Sequence, residues 1–597
     1  MTNNESAVET DFAPLVGHWF EALNAALEGG DPDQIEDLFC DDAYWRDLIA
    51  LTWRLGHVGG SGQIAKALLD ARLTHDVRDL HVALHRTTPR LKSRLMREVV
   101  EAYFEFTTNV GTGQGVIRFE PNQDNETALR AWTVLTKIRS IHGVPVPGVG
   151  ERHPGRGYDR EGSTDNWADR RAQSVAYEDR EPEVVIAGAG QSGLMLAAHL
   201  GVLGVDALIV EKNDRIGDNW RNRYHSLALH NPTDMVQLPY MPFPRTFPEY
   251  LPKDQFANWL EAYALNMNLN TWTSTEFLGA DYDEVEEVWT VKVRRGDGTE
   301  RTLHPRHVVV ATGGAGGQPR FAELPGLEDF KGEVIHSSQF DSGRRFQGKN
   351  VVVVGVATSA HDIALDLYQN DATVTMLQRS ASIVVSLETA NAAYGQYFDG
   401  TPIEEADMIS AGNFIHPLMV PAMQAGTKIM EEKDKVLLDR LRAVGMKLDS
   451  GIDGTGFMYK FFQTGGGYYI DVGASDVVAR GDIRLVQTED LLRLDANGAQ
   501  LADGTHVPVD AIVMATGYKN QGAEAQRYFG DELAAQLGDV SRFGEDGELR
   551  NAWKPTAQKG LWFMISGVAQ ARTYSPVLAL QLKAEQLGIL PGYKSAK

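Results

Sequence analysis

Two short stretches combine residues that can hold a phosphate with residues that can read the sugar beside it. In the first, the apolar run Val184-Val185-Ile186-Ala187 leads into Gly188-Ala189-Gly190-Gln191-Ser192-Gly193. In this G-x-G-x-x-G pattern Gly188 permits a sharp turn and Gly190 lets the backbone approach a pyrophosphate. Gly193 lets the following helix pack against the strand. The start of that helix offers unpaired N–H groups and a partial positive charge to the phosphates. A second apolar strand, 207–210, ends at Glu211, where a carboxylate can accept from both ribose hydroxyls. The second stretch is Val351-Val352-Val353-Val354 followed by Gly355-Val356-Ala357-Thr358-Ser359-Ala360, again strand, turn and helix, with alanine at the second and third glycine positions. The next strand, 372–377, ends at Gln378-Arg379-Ser380. A guanidinium and a hydroxyl suit a 2′-phosphate, which arginine binds bidentately. Two different dinucleotides are therefore expected. The natural pair is FAD at Gly188, Gly190, Gly193 and Glu211, and NADPH at Gly355, Ser359, Arg379 and Ser380.

Other residues fall where a flavin needs neighbours. The loop Ile216-Gly217-Asp218-Asn219-Trp220-Arg221 suits a second pass of the chain along the flavin diphosphate, through Trp220 and Arg221. His230 and Asn231, then Gln237 ahead of the proline-locked segment 238–244, are polar candidates beside the ring. Thr312 and Thr516 each follow an apolar strand and are expected near backbone–cofactor contacts. Ser575 and Pro576 read as the N-cap and first position of a helix whose positive end faces the flavin pyrimidine.

These sites need elements to carry them. At 597 residues the chain is too long for one core. The fold class expected is α/β, with two Rossmann-like domains and an extra α+β domain. Residues 1–142 form that extra domain, with helices at 18–27 and 61–73 and strands at 99–108, 115–119 and 128–138. In it Asp41, Asp42 and Asp47 read as solvated turn carboxylates rather than the lining of a pocket shared with His57 and His75. Residues 143–181 are a charged linker, some of it an ordered strap over its neighbour. Residues 182–346 are the first part of the FAD domain. Residues 347–480 are the NADPH domain with a helical insertion, including a charged helix at 430–444. Residues 481–597 complete the FAD domain. The net charge of −24 disfavours nucleic acid and anionic membranes as partners. With Cys40 the single cysteine, a disulfide framework, a cysteine metal site and a dithiol redox pair are all excluded, and disulfide reduction with them. No export signal or bilayer-length apolar run is found, so a cytoplasmic location is expected.

The segment between the two motifs narrows the class. Phe330-Lys331-Gly332, His336 and Phe340 resemble the F-x-G-x-x-x-H-x-x-x-[FYW] fingerprint of flavin-containing and Baeyer–Villiger monooxygenases, with Asp341 a departure at the following position. The L-H-x-P and L-P-x-M-P-F-P segments at 229–244 look like those of plant auxin-forming flavin monooxygenases. Ala515-Thr516-Gly517-Tyr518 matches the A-T-G-Y motif of the same superfamily. Residues 1–142 resemble the cone-shaped nuclear-transport-factor-like fold, and an extra N-terminal domain is similar to bacterial type II flavin-containing monooxygenases. The resemblance implies that NADPH reduces FAD, that oxygen adds at flavin C4a to give a peroxide, and that one oxygen atom passes to a small organic substrate. It implies Baeyer–Villiger oxidation of a ketone, with S- or N-oxygenation of thioethers or amines as the alternative; a flavin-bound sensor module is a third reading. Asn231 and His230 are the candidates beside the reacting atoms. His336 is better read as a hinge between the nucleotide domains. A homodimer is expected from the family alone.

Overall fold

The computed structural model describes residues 11–121, 129–146, 165–313, 317–565 and 567–590. At its centre lie two five-stranded parallel sheets. The first has the spatial order Asn270–Trp272, Ala207–Val210, Val184–Ala187, His307–Val310, Leu561–Phe563. All four residues of strands 184–187, 207–210 and 307–310 are buried, as strands covered on both faces require. The second sheet runs Glu333–His336, Ala511–Met514, Asn350–Val354, Thr373–Gln378, Arg484–Gln487.

This pairing moves the expected domain boundaries. Strand 333–336, assigned above to 182–346, and strands 484–487 and 511–514, assigned to 481–597, all belong to the second sheet. Short apolar strands carry no mark of the sheet they will join. The chain crosses between the two domains at a single place. There the Arg320 N–H donates to the Gly517 carbonyl and the Lys519 N–H to the Gln318 carbonyl, both at 2.9 Å, and Pro319 bridges Tyr518.

Three other expectations change. The charged helix at 430–444 is two helices, His416–Lys433 and Lys435–Ala443. Asp434 breaks them because its buried carboxylate accepts from the Ser386 N–H and hydroxyl and from the Thr389 hydroxyl at 2.7–2.8 Å. The last helix begins at Val568, not at Ser575 and Pro576, which lie inside it. Proline has no N–H for the Arg572 carbonyl, but the apolar residues on both sides carry the helix through. Of the expected linker 143–181, residues 147–164 lie outside the described residues, as does Gly314 beyond Thr312. Residues Trp167–Ala176 form a helix with an Asn166–Asp169 capping box. That strap is pinned to the first sheet where the Trp272 indole donates to the Val175 carbonyl at 2.7 Å and Arg180 meets Asp206 at 3.0 Å.

The N-terminal domain has helices Ala13–Gly29, Pro32–Glu36 and Ser61–His75 and a seven-stranded sheet. Strands Phe39–Leu48 and Leu55–Gly59 escaped the sequence reading. The pleat of strand 39–48 sends Trp45 and Asp47 to the helix side and Arg46 to the other. Asp47 is not a solvated turn residue. It is buried and accepts from the N–H groups of Ala50, Leu51 and Thr52 and from the hydroxyls of Thr52 and Thr136. Asp41 and Asp42 make exposed pairs with Arg130 and Arg97. The interior cavity, between Trp19, Phe20, Ile64, Leu68 and Phe104, is apolar throughout.

The opposite face of that sheet docks on helix Ile403–Gly412 and the C-terminal segment. Arg46, with no exposed side-chain surface, binds both oxygens of Glu548 at 2.6–2.7 Å, the Ala411 carbonyl at 2.7 Å and the Tyr574 hydroxyl at 3.0 Å. Arg118 reaches the carbonyls of Ile409 and Gly412, and Glu405 takes the Thr87 N–H and hydroxyl.

Replacing Arg46 by Ala strands a buried Glu548 carboxylate and should cost about 3–5 kcal/mol, read as a fall in urea midpoint, whereas the double change to Met and Leu should recover most of it. A loss below about 1 kcal/mol for the single change would contradict the assignment of this pair. Burial pushes the imidazoles of His199 and His307 down to about 3. The unfolded chain protonates these groups below about pH 6.5 and the folded one does not, so stability should fall as pH drops from about 6.5 toward 3. His307→Gln should flatten the thermal-midpoint profile over that window; an unchanged slope would count against it.

Candidate functional site

Strands 184–187 and 561–563 are parallel and each runs into a helix, Gln191–Val202 and Val568–Gln586. Both helices therefore start at the carboxyl edge of the first sheet, where open α/β sheets bind ligands. Thr312, which follows strand 307–310, emerges at the same edge.

The glycines of the first turn divide by what a side chain would meet. Gly188 has φ +107°, and a Cβ there would lie 2.7 Å from the Ala311 carbonyl oxygen. A Cβ on Gly193 would lie 2.2 Å from the Gly188 oxygen. A Cβ on Gly190 would meet only Asn219 Nδ2, at 3.6 Å. Gly188 and Gly193 are thus required by the fold, whereas Gly190 keeps open the space where phosphates would lie. Glu211 closes the turn: one carboxylate oxygen accepts from the Ala189 N–H at 2.9 Å, the other from the Asn213 N–H and side-chain amide. The Thr312 hydroxyl is buried with no partner among the described residues. These features fit a flavin dinucleotide. The Trp220 indole donates to Gln191 at 3.3 Å, at the first turn of the phosphate helix.

Two members of the predicted cofactor set are spent elsewhere. Arg221 binds the Ile216 carbonyl, Asp218, Asn258 and Glu261, so it ties its loop to helix Lys253–Asn266. Gln237 donates to the Thr233 carbonyl and accepts from the Phe243 N–H at 2.6 Å, clamping the proline segment. Asn219, beside Gly190, was missed; it sits in the motif loop between Gly217 and Trp220.

At the second sheet the same geometry recurs with less room. Gly355 has φ +125°, with the Ala515 oxygen 2.6 Å from a would-be Cβ. Helix Thr358–Gln369 starts directly after it, with Ser359 in its first turn. Arg379 and Ser380 are exposed just past strand 373–378. Their turn is set by Gln378, which is fully buried. It donates to the carbonyls of Ser380 and Lys447 and accepts from the Lys447 N–H and Gln487. The arrangement fits a second dinucleotide, with Arg379 exposed at the same edge.

Thr516 and His336 serve the crossing between the domains. The Thr516 hydroxyl donates to the Arg320 carbonyl. His336 donates from Nε2 to the Gly517 carbonyl at 3.0 Å and accepts at Nδ1 from Ser338. Burial pushes its pKa down. Both side chains are engaged at the crossing: His336 through both ring nitrogens and Thr516 through its hydroxyl hydrogen.

Of the remaining candidates, Asn231 meets residues of the insertion. Segment 229–233 is pinned to 249–251 by the Leu229 and Thr233 N–H groups. Its Asn231 hydrogen-bonds the Tyr394 hydroxyl, which burial pushes up to about 12, and Tyr468 lies close by. Desolvation lowers the pKa of His230. Arg572, on the C-terminal helix, grips Asp407 with two nitrogens at 2.6 and 2.8 Å and donates to the carbonyls of Met235 and Gln237.

Gly190→Ala should fold with a near-parental melting temperature yet purify without flavin. Gly193→Ala should lose about 1–3 kcal/mol of stability as well, because its clash is with backbone. Flavin absorbance at parental level in Gly190→Ala would refute the phosphate assignment.

Residues 185–392 match the family described as pyridine nucleotide-disulphide oxidoreductase. Over 381 residues the chain is 32% identical to a probable indole-3-pyruvate monooxygenase, YUCCA3, of Arabidopsis thaliana, spanning 63% of this chain and 79% of that one. It is also 32% identical over 349 residues to indole-3-pyruvate monooxygenase YUCCA1 of Oryza sativa subsp. japonica, spanning 58% and 79%. Among solved structures a flavin-containing monooxygenase from Stenotrophomonas maltophilia is similar at 20% identity over 68% of this chain and 98% of that one, with TM-score 0.44, a likeness too distant to bear on the reaction. The relatives and the two cradles agree with the fingerprint between them: the chain belongs to the flavin monooxygenase family that includes the plant indole-3-pyruvate monooxygenases, and its cofactors are FAD and NADPH.

Proposed function

We propose that this flavin monooxygenase oxidises a neutral ketone, inserting one oxygen atom beside the carbonyl. The observation that carries the reading is the occupation of Arg572. Its guanidinium gives four of its five N–H groups to Asp407 and two backbone carbonyls, so its charge is already paired within the protein rather than held for a substrate carboxylate. The relatives are named for indole-3-pyruvate, which carries a carboxylate beside its ketone.

Two electrons come from NADPH; one oxygen atom of O2 enters the ester and the other leaves as water. The bound flavin supplies the oxygen chemistry, and the chain's own residues arrange it. Asn231 and Tyr394 can turn their amide and phenol toward a carbonyl oxygen and stabilise the charge that develops there. Tyr394, with its pKa held near 12, stays protonated as a donor through the neutral range. The pinned 229–243 segment, the Arg572 pair and the 403–412 helix close the site against water, which strengthens those donors.

The test is product analysis with FAD-loaded protein and NADPH on matched panels of ketones, 2-oxo acids and thioethers. Esters from ketones, with 2-oxo acids untouched, are the expected result. Turnover of 2-oxo acids alone would overturn the neutral-substrate reading, and turnover of thioethers alone would establish heteroatom oxygenation. Asn231→Ala and Tyr394→Phe should each lower ester formation by about tenfold or more and release a larger share of the NADPH electrons as hydrogen peroxide. Unchanged peroxide yield in both would remove these residues from the site.

A further inference from the structure

Tyr224 belongs by sequence to the first nucleotide domain, at the end of the Trp220 loop. Its ring nonetheless lies in the core of the second, in one apolar cluster with Phe346, Val351, Ile363 and Ala364, and it is 5% exposed. Its hydroxyl donates to Asp362 at 2.6 Å and faces Ser359. Both partners sit in the first turns of helix 358–369, which begins directly after the Gly355 turn. The next residue, His225, donates its N–H to the Asp341 carbonyl at 2.7 Å, a second stitch across the same boundary. The other groups facing this pair are Arg223, next to Tyr224, and Asp471, across from Asp362. Behind the helix turn, His361 stacks on Tyr469 with centroids 4.0 Å apart, so the turn is held from both sides.

We propose that Tyr224 and Asp362 form an interdomain latch that fixes the first turn of helix 358–369 against the flavin domain, and so sets where the nicotinamide nucleotide lies relative to the flavin. Both are positioning residues. The proposal rests on the assignment of the second cradle to NADPH. A tyrosine hydroxyl bonded to a buried carboxyl is directional, and it spans the two bodies in addition to the paired crossing at 318–320 and 517–519, the His225–Asp341 bond and the Arg572–Asp407 pair. Burial pushes the Asp362 carboxyl up to about 6, and the Tyr224 hydrogen bond works against that rise. Hydride transfer is sensitive to ångström-scale misplacement.

The test is calorimetric NADP⁺ binding to FAD-loaded protein, with anaerobic flavin reduction by NADPH as a second measurement. Tyr224→Phe and Asp362→Leu should each weaken NADP⁺ binding or slow reduction by roughly tenfold. Asp362→Asn retains an oxygen that can accept from Tyr224, and should stay within about threefold of the parent. Flavin content and melting temperature report folding separately; if Asp362→Leu does not fold, Tyr224→Phe decides. Parental binding and reduction in Tyr224→Phe would overturn the latch, as would an Asn variant as impaired as the Leu variant. A parent protein that binds no NADP⁺ would instead sink the NADPH assignment itself.

Discussion

The guanidinium of Arg572 is the interaction on which the candidate site depends. It is buried, and a buried charge is tolerated only when paired and hydrogen-bonded throughout. Here Asp407 takes two of its nitrogens and the carbonyls of Met235 and Gln237 take a third. Tyr397 donates to the same Asp407 at 2.8 Å and lies under the guanidinium. One charge thereby joins three pieces of chain that are far apart in sequence: the C-terminal helix, the insertion helix 403–412 and residues 235–237 just ahead of the proline-locked segment.

The N-terminal domain stands behind this arrangement. Arg46, Arg118, Arg86 and Thr87 all reach residues of helix 403–412, or the loops at its ends, through their hydrogen bonds. Arg46 also touches Tyr574, two residues beyond Arg572. The domain's interior is walled by its own apolar side chains, and the contacts it makes with the rest of the molecule lie on the outward face of its sheet. An appended domain that looks dispensable beside two nucleotide folds is continuous with the wall of the candidate site.

What the sequence disclosed and what it withheld follow from range. Gly188, Gly190, Gly193 and Gly355 were legible because each acts within a few residues: a turn, a positive φ, a close approach to the adjoining strand. The positions of Glu211 and Arg379, each just past a strand of its sheet, were legible because the ends of neighbouring parallel strands lie at one edge. Arg221, Gln237 and Thr516 carry the same residue types in plausible loops, but their partners lie on other elements, and nothing local distinguishes a cofactor ligand from a clamp. The Asp407–Arg572 pair, 165 residues apart, left no local signal at all. Asp47 looked like a turn residue because Thr52 and Thr136 could not be seen around it. The helix thought to begin at Ser575 shows the reverse error, a strong local cap pattern overridden by tertiary burial.

The paired crossing has a further consequence for how such a protein can be rebuilt. Because residues 318–320 and 517–519 lie side by side, the entire second domain enters and leaves the first through one doorway. Its two ends are adjacent, as they are in domains that tolerate insertion into a host. The NADPH half of this molecule is therefore a cassette: cut at those two points, it can be exchanged for that of a relative with both seams at one spot. The seams would preserve the flavin sheet, and the buried side chains to be matched across the join include the tyrosine that the first domain lends to the second and the Arg572 that grips Asp407.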